Sequence, residues 1–324
     1  MKSESPPTLW VVVPAYNEEA VLPKTLPRFL EEIKTLENHE KISADSRILF
    51  VDDGSNDRTW ELIERASQED AHVFGIAQST NRGHQNAVLT GLMVAKDQCD
   101  IMIFIDCDGQ DDIEAMEEMV DAYSQGNEVV YGARASRTED HFFKRTTAQL
   151  YYRFLKRMGV QVIYNHADYR LASSKVLKHL ADYHEVNLFL RGLFPLIGFK
   201  STIVYYNREK RIAGKSHYPL KKMVHLAIDG ITSLSIKPLT AILKAGCVST
   251  LVFAIALGFA LKMHWMLAGL LCAVFLTGGI QLIGIGVIGG YVGKIYQEVK
   301  HRPRYIISRQ TDQLKEKLAN EREE

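Results

Sequence analysis

Short apolar or β-branched runs alternate with amphipathic stretches through the first part of the chain. The runs LWVVVPAY, RILFVDDGS, HVFGIA and IMIFIDCDG are apolar enough to be covered on both faces. Between them lie a helical region near Leu26 to Leu36 and the stretches TWELIERAS and NAVLTGLMVA. Doubly buried strands separated by helices predict an α/β unit with a mostly parallel sheet. Three strands run into polar clusters, PAYNEE, DDGSND and DCDGQDD. Ligands of open α/β sheets bind outside the carboxyl ends of the strands, so these carboxylates are expected to converge on one rim.

The pattern changes after Lys237. Residues Ala245 to Leu261 carry no charge, and after KMHW the chain is again uncharged from Trp265 to Gly293. The first segment is near the lower limit for a membrane span, extended if Lys244 snorkels, and the second exceeds the usual length of about 20 residues. A buried helix pair is the alternative. Two spans joined by so short a turn form a hairpin with both ends on one side. Lys237 and Lys244 precede the pair and Lys294, Lys300, Arg302 and Arg304 follow it, against Lys262 alone in the turn. The positive-inside rule then puts both ends in the cytosol. Gly286, Gly289, Gly290 and Gly293 form overlapping small-xxx-small pairs, which permit close helix contact within the hairpin or in a homo-oligomer.

Before the hairpin, Leu220, Val224, Ala227, Ile231 and Leu234 share one face of an amphipathic stretch. Such a face normally packs on a core, but its place beside a span points to a helix lying in the membrane interface. The basic, aromatic segment from Phe142 to Met158 has the same character. Nucleic acid is the rival partner for that mix, and the adjoining hairpin favours anionic lipid head groups.

Charge and cysteine content add little. The 39 basic and 39 acidic residues cancel, although the acidic clusters lie early and the basic aromatic segments later. Cys99, Cys107, Cys247 and Cys272 show no CxxC spacing, so neither a disulfide framework nor a zinc site is indicated. MKSESPPT is polar, without the apolar run of a secretory signal, and the amino-terminal domain is expected to stay in the cytosol.

The stretch IFIDCDGQDDIE carries the chemistry. Asp106, Asp108, Asp111, Asp112 and Glu114 crowd the end of an apolar run. A solvated acidic helix start is one reading. The other is a counter-cation: Asp106, Asp108 and the neutral oxygen of Gln110 form an oxygen-only set that suits Mg²⁺ or Mn²⁺, completed by water and substrate phosphate. Such an ion would neutralise the diphosphate of a nucleotide-activated compound. No GxGxxG follows the first strand and no GxxxxGK[ST] occurs, which removes the main support for dinucleotide redox chemistry and P-loop hydrolysis. Tyr16 is placed to stack on or edge a base, with Glu18 and Asp53 as hydrogen-bond acceptors. For each alone, a polar strand-end turn is the simpler reading.

Together VVVPAYNEE, FVDDGSNDRT, NRGHQNA, FIDCDGQD, HADYRL and KRIAGKSHY resemble the successive motifs of inverting family 2 glycosyltransferases with a GT-A, Rossmann-like fold. With the interface helix, two spans and HRPRYII after them, the order resembles the polyprenyl-phosphate glycosyltransferases, the group of dolichyl-phosphate mannose synthase and bacterial undecaprenyl-phosphate glucosyltransferases. The resemblance implies a catalytic domain over 1–212, a donor-loop end and interface helix over 213–237, two spans over 238–294 and a cytosolic tail over 295–324. It assigns Pro14, Tyr16, Glu18 and Asp53 to the nucleotide. Asp106, Asp108 and Gln110 go to the metal and diphosphate, and Arg211, Lys215 and Ser216 to a loop closing on the donor. Arg134 and Arg145 match cations near the lipid phosphate, and Asp168 matches the acidic residue of the catalytic centre, beside Asp108. The family commonly has a larger apolar residue where this chain has Gly109, and prolines where it has Asp112 and Ile113.

A phosphate monoester has a second pKa near 6, so a lipid phosphate needs little deprotonation at neutral pH. Asp168 is therefore expected to orient cations or the sugar, with a base role second. Capping a helix that begins near Ser173 is its structural alternative. The implied activity is inverting transfer of one sugar, from UDP-glucose in the first instance, to undecaprenyl phosphate at the cytosolic face of a bacterial inner membrane. The alternatives are a processive polysaccharide synthase, for which the expected QxxRW motif is missing, and a catalytically silent membrane scaffold.

Overall fold

A computed structural model describes residues 5–135, 166–186, 189–208, 232, 235, 237–262 and 266–323. The chain runs β1 (Leu9–Ala15), α1 (Leu22–Asn38), β2 (Arg47–Asp52), α2 (Thr59–Glu69), β3 (Val73–Gln78), α3 (His84–Ala95), β4 (Ile101–Phe104), α4 (Ala115–Ser124) and β5 (Val129–Arg134). Then follow β6 (His166–Ser173), α5 (Ser174–Ala181), α6 (Leu190–Ile197), β7 (Ser201–Tyr206), α7 (Lys237–Lys262), α8 (Met266–Val299), β8 (Ile307–Gln310) and α9 (Asp312–Glu323). The strands form one sheet in the order β7-β5-β6-β4-β1-β2-β3-β8.

All four runs expected as strands are strands, and the three stretches expected as helices are helices. The sheet is mixed: β1, β2, β3 and β4 pair in parallel, as do β5 and β7, while β6 is antiparallel to β4 and β5, and β8 to β3. Strand alternation divides the core. Leu9, Val11 and Val13 of β1 face one layer, with Phe29 and Ile33 of α1 and Met116 and Met119 of α4. Trp10 and Val12 face the other, with Leu89 and Leu92 of α3, Leu193 and Phe194 of α6, and Leu314 of α9. On that side α3 lies so close to β1 that a Cβ on Gly91 would sit 2.3 Å from Val12 Cγ1. Only glycine permits the approach that brings the start of α3 to the strand ends.

Glu32 on α1 is 7 % exposed. Burial first, then Glu117, Glu114 and Asp112, push its pKa from 4.5 to about 7. As pH rises between these values the unfolded chain loses the proton before the folded one does. Stability therefore falls through that window and stays lower above it. Glu32→Gln is expected to raise the melting temperature at about pH 7.5 and to leave it nearly unchanged at about pH 4. Melting curves at the two pH values check this.

α7 and α8 are long and apolar enough to cross a membrane, and the qualifying stretches, Lys237–Ala256 and Gly269–Val299, are 0 % and 6 % buried within the chain. A core helix pair would be mostly buried, so the exposed apolar surface sets these two apart from that reading. They pack on each other where Gly284 of α8 passes Ile242 of α7. Tyr291 Oη donates to the Ser235 carbonyl at 2.6 Å.

The carboxyl-terminal segment joins the sheet instead of trailing from α8. Ser79 N donates to Ile306 O at 2.9 Å and Thr311 N to Gly75 O at 3.0 Å. Arg309 lies over the Trp60 ring at 5.1 Å, and Leu314 is fully buried. Apart from Thr232, Ser235 and Lys237, the expected interface helix lies outside the described residues, as does the basic aromatic segment.

Candidate active site

Two carboxylates approach each other where β4 meets β6. Their antiparallel register pairs Ile103 with Leu171 and Phe104 with Arg170. Continued for two residues, it sets Asp106 opposite Asp168. Like charges so placed repel one another. Two side chains that sequence reasoning did not single out offset the repulsion. His84, at the start of α3, has Nε2 3.6 Å from Asp106 Oδ1 and 3.6 Å from Asp168 Oδ2. Arg191, in the first turn of α6, donates from Nε to Asp168 Oδ1 and from Nη2 to Oδ2, both at 2.7 Å.

This fork-to-fork pair fixes the plane of the Asp168 carboxylate. Burial works against its charge, but Arg191 and His84 hold it well below the usual carboxylate range. Burial likewise opposes a charged His84, yet Asp106 and Asp168 raise it to about 9. Asp168 is thus an ionised, fully engaged carboxylate and a weak base. It does not cap α5: Ser173 does, its Oγ accepting from Val176 N at 3.4 Å.

Behind this pair lies Arg170, fully buried, with its guanidinium 4.4 Å from the Phe194 ring centroid, 4.7 Å from Tyr131 and 5.4 Å from Phe104. Its nitrogens have no hydrogen-bond partner among the described residues. Burial lowers its pKa to about 10, which leaves it charged at neutral pH.

Asp106 stands on the other side of the balance. Burial, followed by the carboxylates of Asp111, Asp168 and Asp108, pushes it up to about 7 despite His84. Asp108 Oδ1 accepts from Gln110 N at 3.0 Å, closing the loop on itself. Gln110 Oε1, expected as a neutral metal ligand, accepts from Arg208 Nη2 at 2.5 Å and keeps a second lone pair. Among the described residues no three His, Cys, Asp or Glu side chains form a metal cage. Two carboxylates on one short loop, with surplus negative charge beside them, suit a hard divalent ion that takes most of its ligands from water and substrate phosphate.

Arg134, expected near a lipid phosphate, is drawn to Asp111: its Nη2 lies 3.5 Å from Asp111 Oδ1, which also accepts from Tyr206 Oη at 2.6 Å. Asp111, 2 % exposed, is thereby an anchor beneath the loop.

On the nucleotide side, Pro14 is buried in β1 while Tyr16, at 42 % exposure, projects past the strand end. Glu18 N donates to Thr59 Oγ1 at 2.9 Å, tying the first strand-end loop to α2. Asp53, expected to accept from a base, is 2 % exposed and accepts from Arg82 N at 2.8 Å and Gly83 N at 2.9 Å. A base contact would be a third bond to that carboxylate, which has lone pairs for it. Its visible task is to hold the loop that presents His84. Gly54 beside it has φ +70°, and a Cβ there would lie 2.6 Å from the Thr80 carbonyl carbon. Arg145, Arg211, Lys215 and Ser216 lie outside the described residues. His84 did stand in a motif, NRGHQNA, but Arg191 had no sequence signal.

Comparison with known proteins identifies the family. A family model for glycosyl transferase family 2 matches residues 10–181. The uncharacterized glycosyltransferase YkoT of Bacillus subtilis (strain 168) is 46 % identical over 311 residues, covering 94 % of this chain and 92 % of that protein. The bactoprenol glucosyl transferase of Shigella phage SfV is 34 % identical over 314 residues, covering 92 % and 97 %. The prophage bactoprenol glucosyl transferase homolog of Escherichia coli (strain K12) is 35 % identical over 311 residues, covering 92 % and 98 %. With its family match spanning the strands that build the rim, and relatives aligned over nearly their whole length, the chain belongs to glycosyltransferase family 2 and is a glycosyltransferase of GT-A-like fold.

Proposed function

We propose that the protein transfers one glucosyl group from a nucleotide donor, UDP-glucose, to a polyprenyl phosphate such as undecaprenyl phosphate. The reaction inverts the anomeric carbon and takes place at the cytosolic face of a bacterial inner membrane. The observation that carries this reading is the union, in one chain, of an acidic strand-end rim with two exposed helices of membrane length. The relatives named as bactoprenol glucosyl transferases support both the sugar and the acceptor. A lipid acceptor explains why a nucleotide-sugar site would be joined to a hairpin.

In this reading the donor base lies against Tyr16 and its diphosphate reaches the loop of Asp106 and Asp108. These two side chains would hold Mg²⁺ or Mn²⁺, which when bound supplies positive charge to the leaving diphosphate. A lipid phosphate oxygen attacks the anomeric carbon, the bond from that carbon to the donor phosphate oxygen breaks, and the nucleoside diphosphate leaves with the electron pair. No enzyme nucleophile is needed. Arg191 keeps Asp168 oriented beside the reacting carbon, and His84 bridges it to the Asp106 side of the site.

The test is to incubate detergent-purified protein with undecaprenyl phosphate and a panel of nucleotide sugars, and to weigh the lipid products. UDP-glucose is expected to give a hexosyl lipid phosphate. Transfer of the sugar to another acceptor with release of free nucleoside diphosphate, and no glycosylated lipid from any donor, would refute the reading. Asp108→Asn is expected to lower transfer by about 100-fold and to weaken nucleoside diphosphate binding in Mg²⁺ but not in EDTA. Calorimetric titration in the two buffers measures this.

A further inference from the structure

The end of α8 is fastened to the segment that leads into α6. Glu298, in the last turn of α8, accepts from Val186 N through Oε2 at 2.8 Å. Six residues on, Arg304 donates from Nη1 to the Tyr183 carbonyl at 2.8 Å. The chain between them turns at His301, whose φ is +47°. Pro303 then prevents the helix from resuming. Within a few residues the backbone is locked into the sheet as β8. α8, the 183–186 segment and the far edge of the sheet are thus tied together by one short connector.

Arg191 lies in the helix that follows this segment in the chain. Val186 lies four residues before α6, and Leu190 N, at the start of that helix, donates to Gln85 Oε1 at 3.0 Å. Gln85 adjoins His84. The next residue of α6 is Arg191, which grips Asp168 with two bonds of 2.7 Å. The Leu190–Gln85 bond thus joins the neighbours of the two side chains that face Asp168. Charge-assisted bonds such as that of Glu298 are the stronger kind, and the Glu298 side chain is partly buried.

We propose that Glu298 and Arg304 are positioning residues: they clamp the end of α8 to the 183–186 segment so that α6 presents Arg191 to Asp168, coupling the membrane hairpin to the reaction centre. The catalytic consequence rests on the function proposed above; the clamp itself does not.

The test compares full-length wild-type, Glu298→Ala, Glu298→Gln and Arg304→Ala proteins in detergent. Glu298→Ala is expected to reduce kcat for lipid glycosylation by about tenfold, with KM for the nucleotide sugar held within about twofold, because reactive geometry and not donor affinity is lost. Glu298→Gln restores most of the rate, since its amide oxygen still accepts from Val186 N. Arg304→Ala shifts in the same direction as Glu298→Ala and serves in its place if that variant does not fold. In parallel, hydrogen exchange is followed for amides 190–197. The alanine variants are expected to exchange faster there, with β1 and β2 as protected as in the wild type. Unchanged exchange in α6 overturns the proposal, as does faster exchange with an unaltered kcat, or a loss confined to KM. If the wild-type protein glycosylates no lipid, the proposed function fails while the exchange measurement still decides the clamp.

Discussion

Asp168→Asn lowers lipid glycosylation by two to three orders of magnitude, and raising the pH does not restore it. An interaction of a buried, preorganised charge is worth about 3 to 4 kcal/mol in a transition state, which sets that scale. The pH dependence follows from the acceptor. Above its second pKa of about 6 a phosphate monoester is already a dianion. Were Asp168 a base needed for deprotonation, the defect would shrink at about pH 8 to 9. In the structure both Asp168 oxygens are bonded to Arg191, and the carboxylate is held far below the range of a useful base. An Asn at this position keeps the shape, but it offers one acceptor where Arg191 needs two and adds an N–H₂ that faces a cation. The rate loss is therefore expected to be pH-independent over that range. A pH–rate profile of the variant against the wild type checks it.

Deleting everything after Tyr305 has a comparably large effect, on the fold itself. The deletion removes β8 and α9, stripping the antiparallel partner from β3 and leaving that strand as a bare edge. Gly75 N loses its bond to Thr311 Oγ1, and Leu314 leaves the layer it shares with Trp10 and Val12. An exposed edge of an apolar strand invites intermolecular pairing. The truncated protein is expected to aggregate on extraction, whereas removal of residues 320–324 alone is tolerated. Size-exclusion chromatography of the two truncations distinguishes these outcomes.

Much of the fold is legible in the sequence, because β1 to β4 are short apolar runs with helical stretches between them. β6 is harder to read. HADYRLAS carries Asp168 toward the site and the fully buried Arg170 among three rings, so its pattern is that of a site rather than of a core strand. β8 is harder still: Ser308 and Arg309 are exposed, and a four-residue polar edge strand has no hydrophobic alternation to betray it. The antiparallel register that brings Asp106 toward Asp168 is a tertiary fact. So is the Arg191 fork, since nothing in LRGLFPLI marks one arginine as the partner of a carboxylate 23 residues earlier. Asp53 is the converse case. Its motif marks it as a polar strand-end residue, and its oxygens hold the Arg82 and Gly83 amides and thereby the His84 loop, a task that only the folded backbone discloses.

In the proposed reaction a polyprenyl phosphate displaces the sugar directly, in a single step, at the rim where Asp106 and Asp168 meet. The most direct measurement is carbon-13 NMR of the organic phase after reaction of undecaprenyl phosphate with UDP-glucose labelled at the anomeric carbon. Label is expected in a lipid-linked glucosyl phosphate of β configuration, inverted from the α-linked donor. Label recovered in an α-linked lipid, or only in water-soluble sugar, would contradict it.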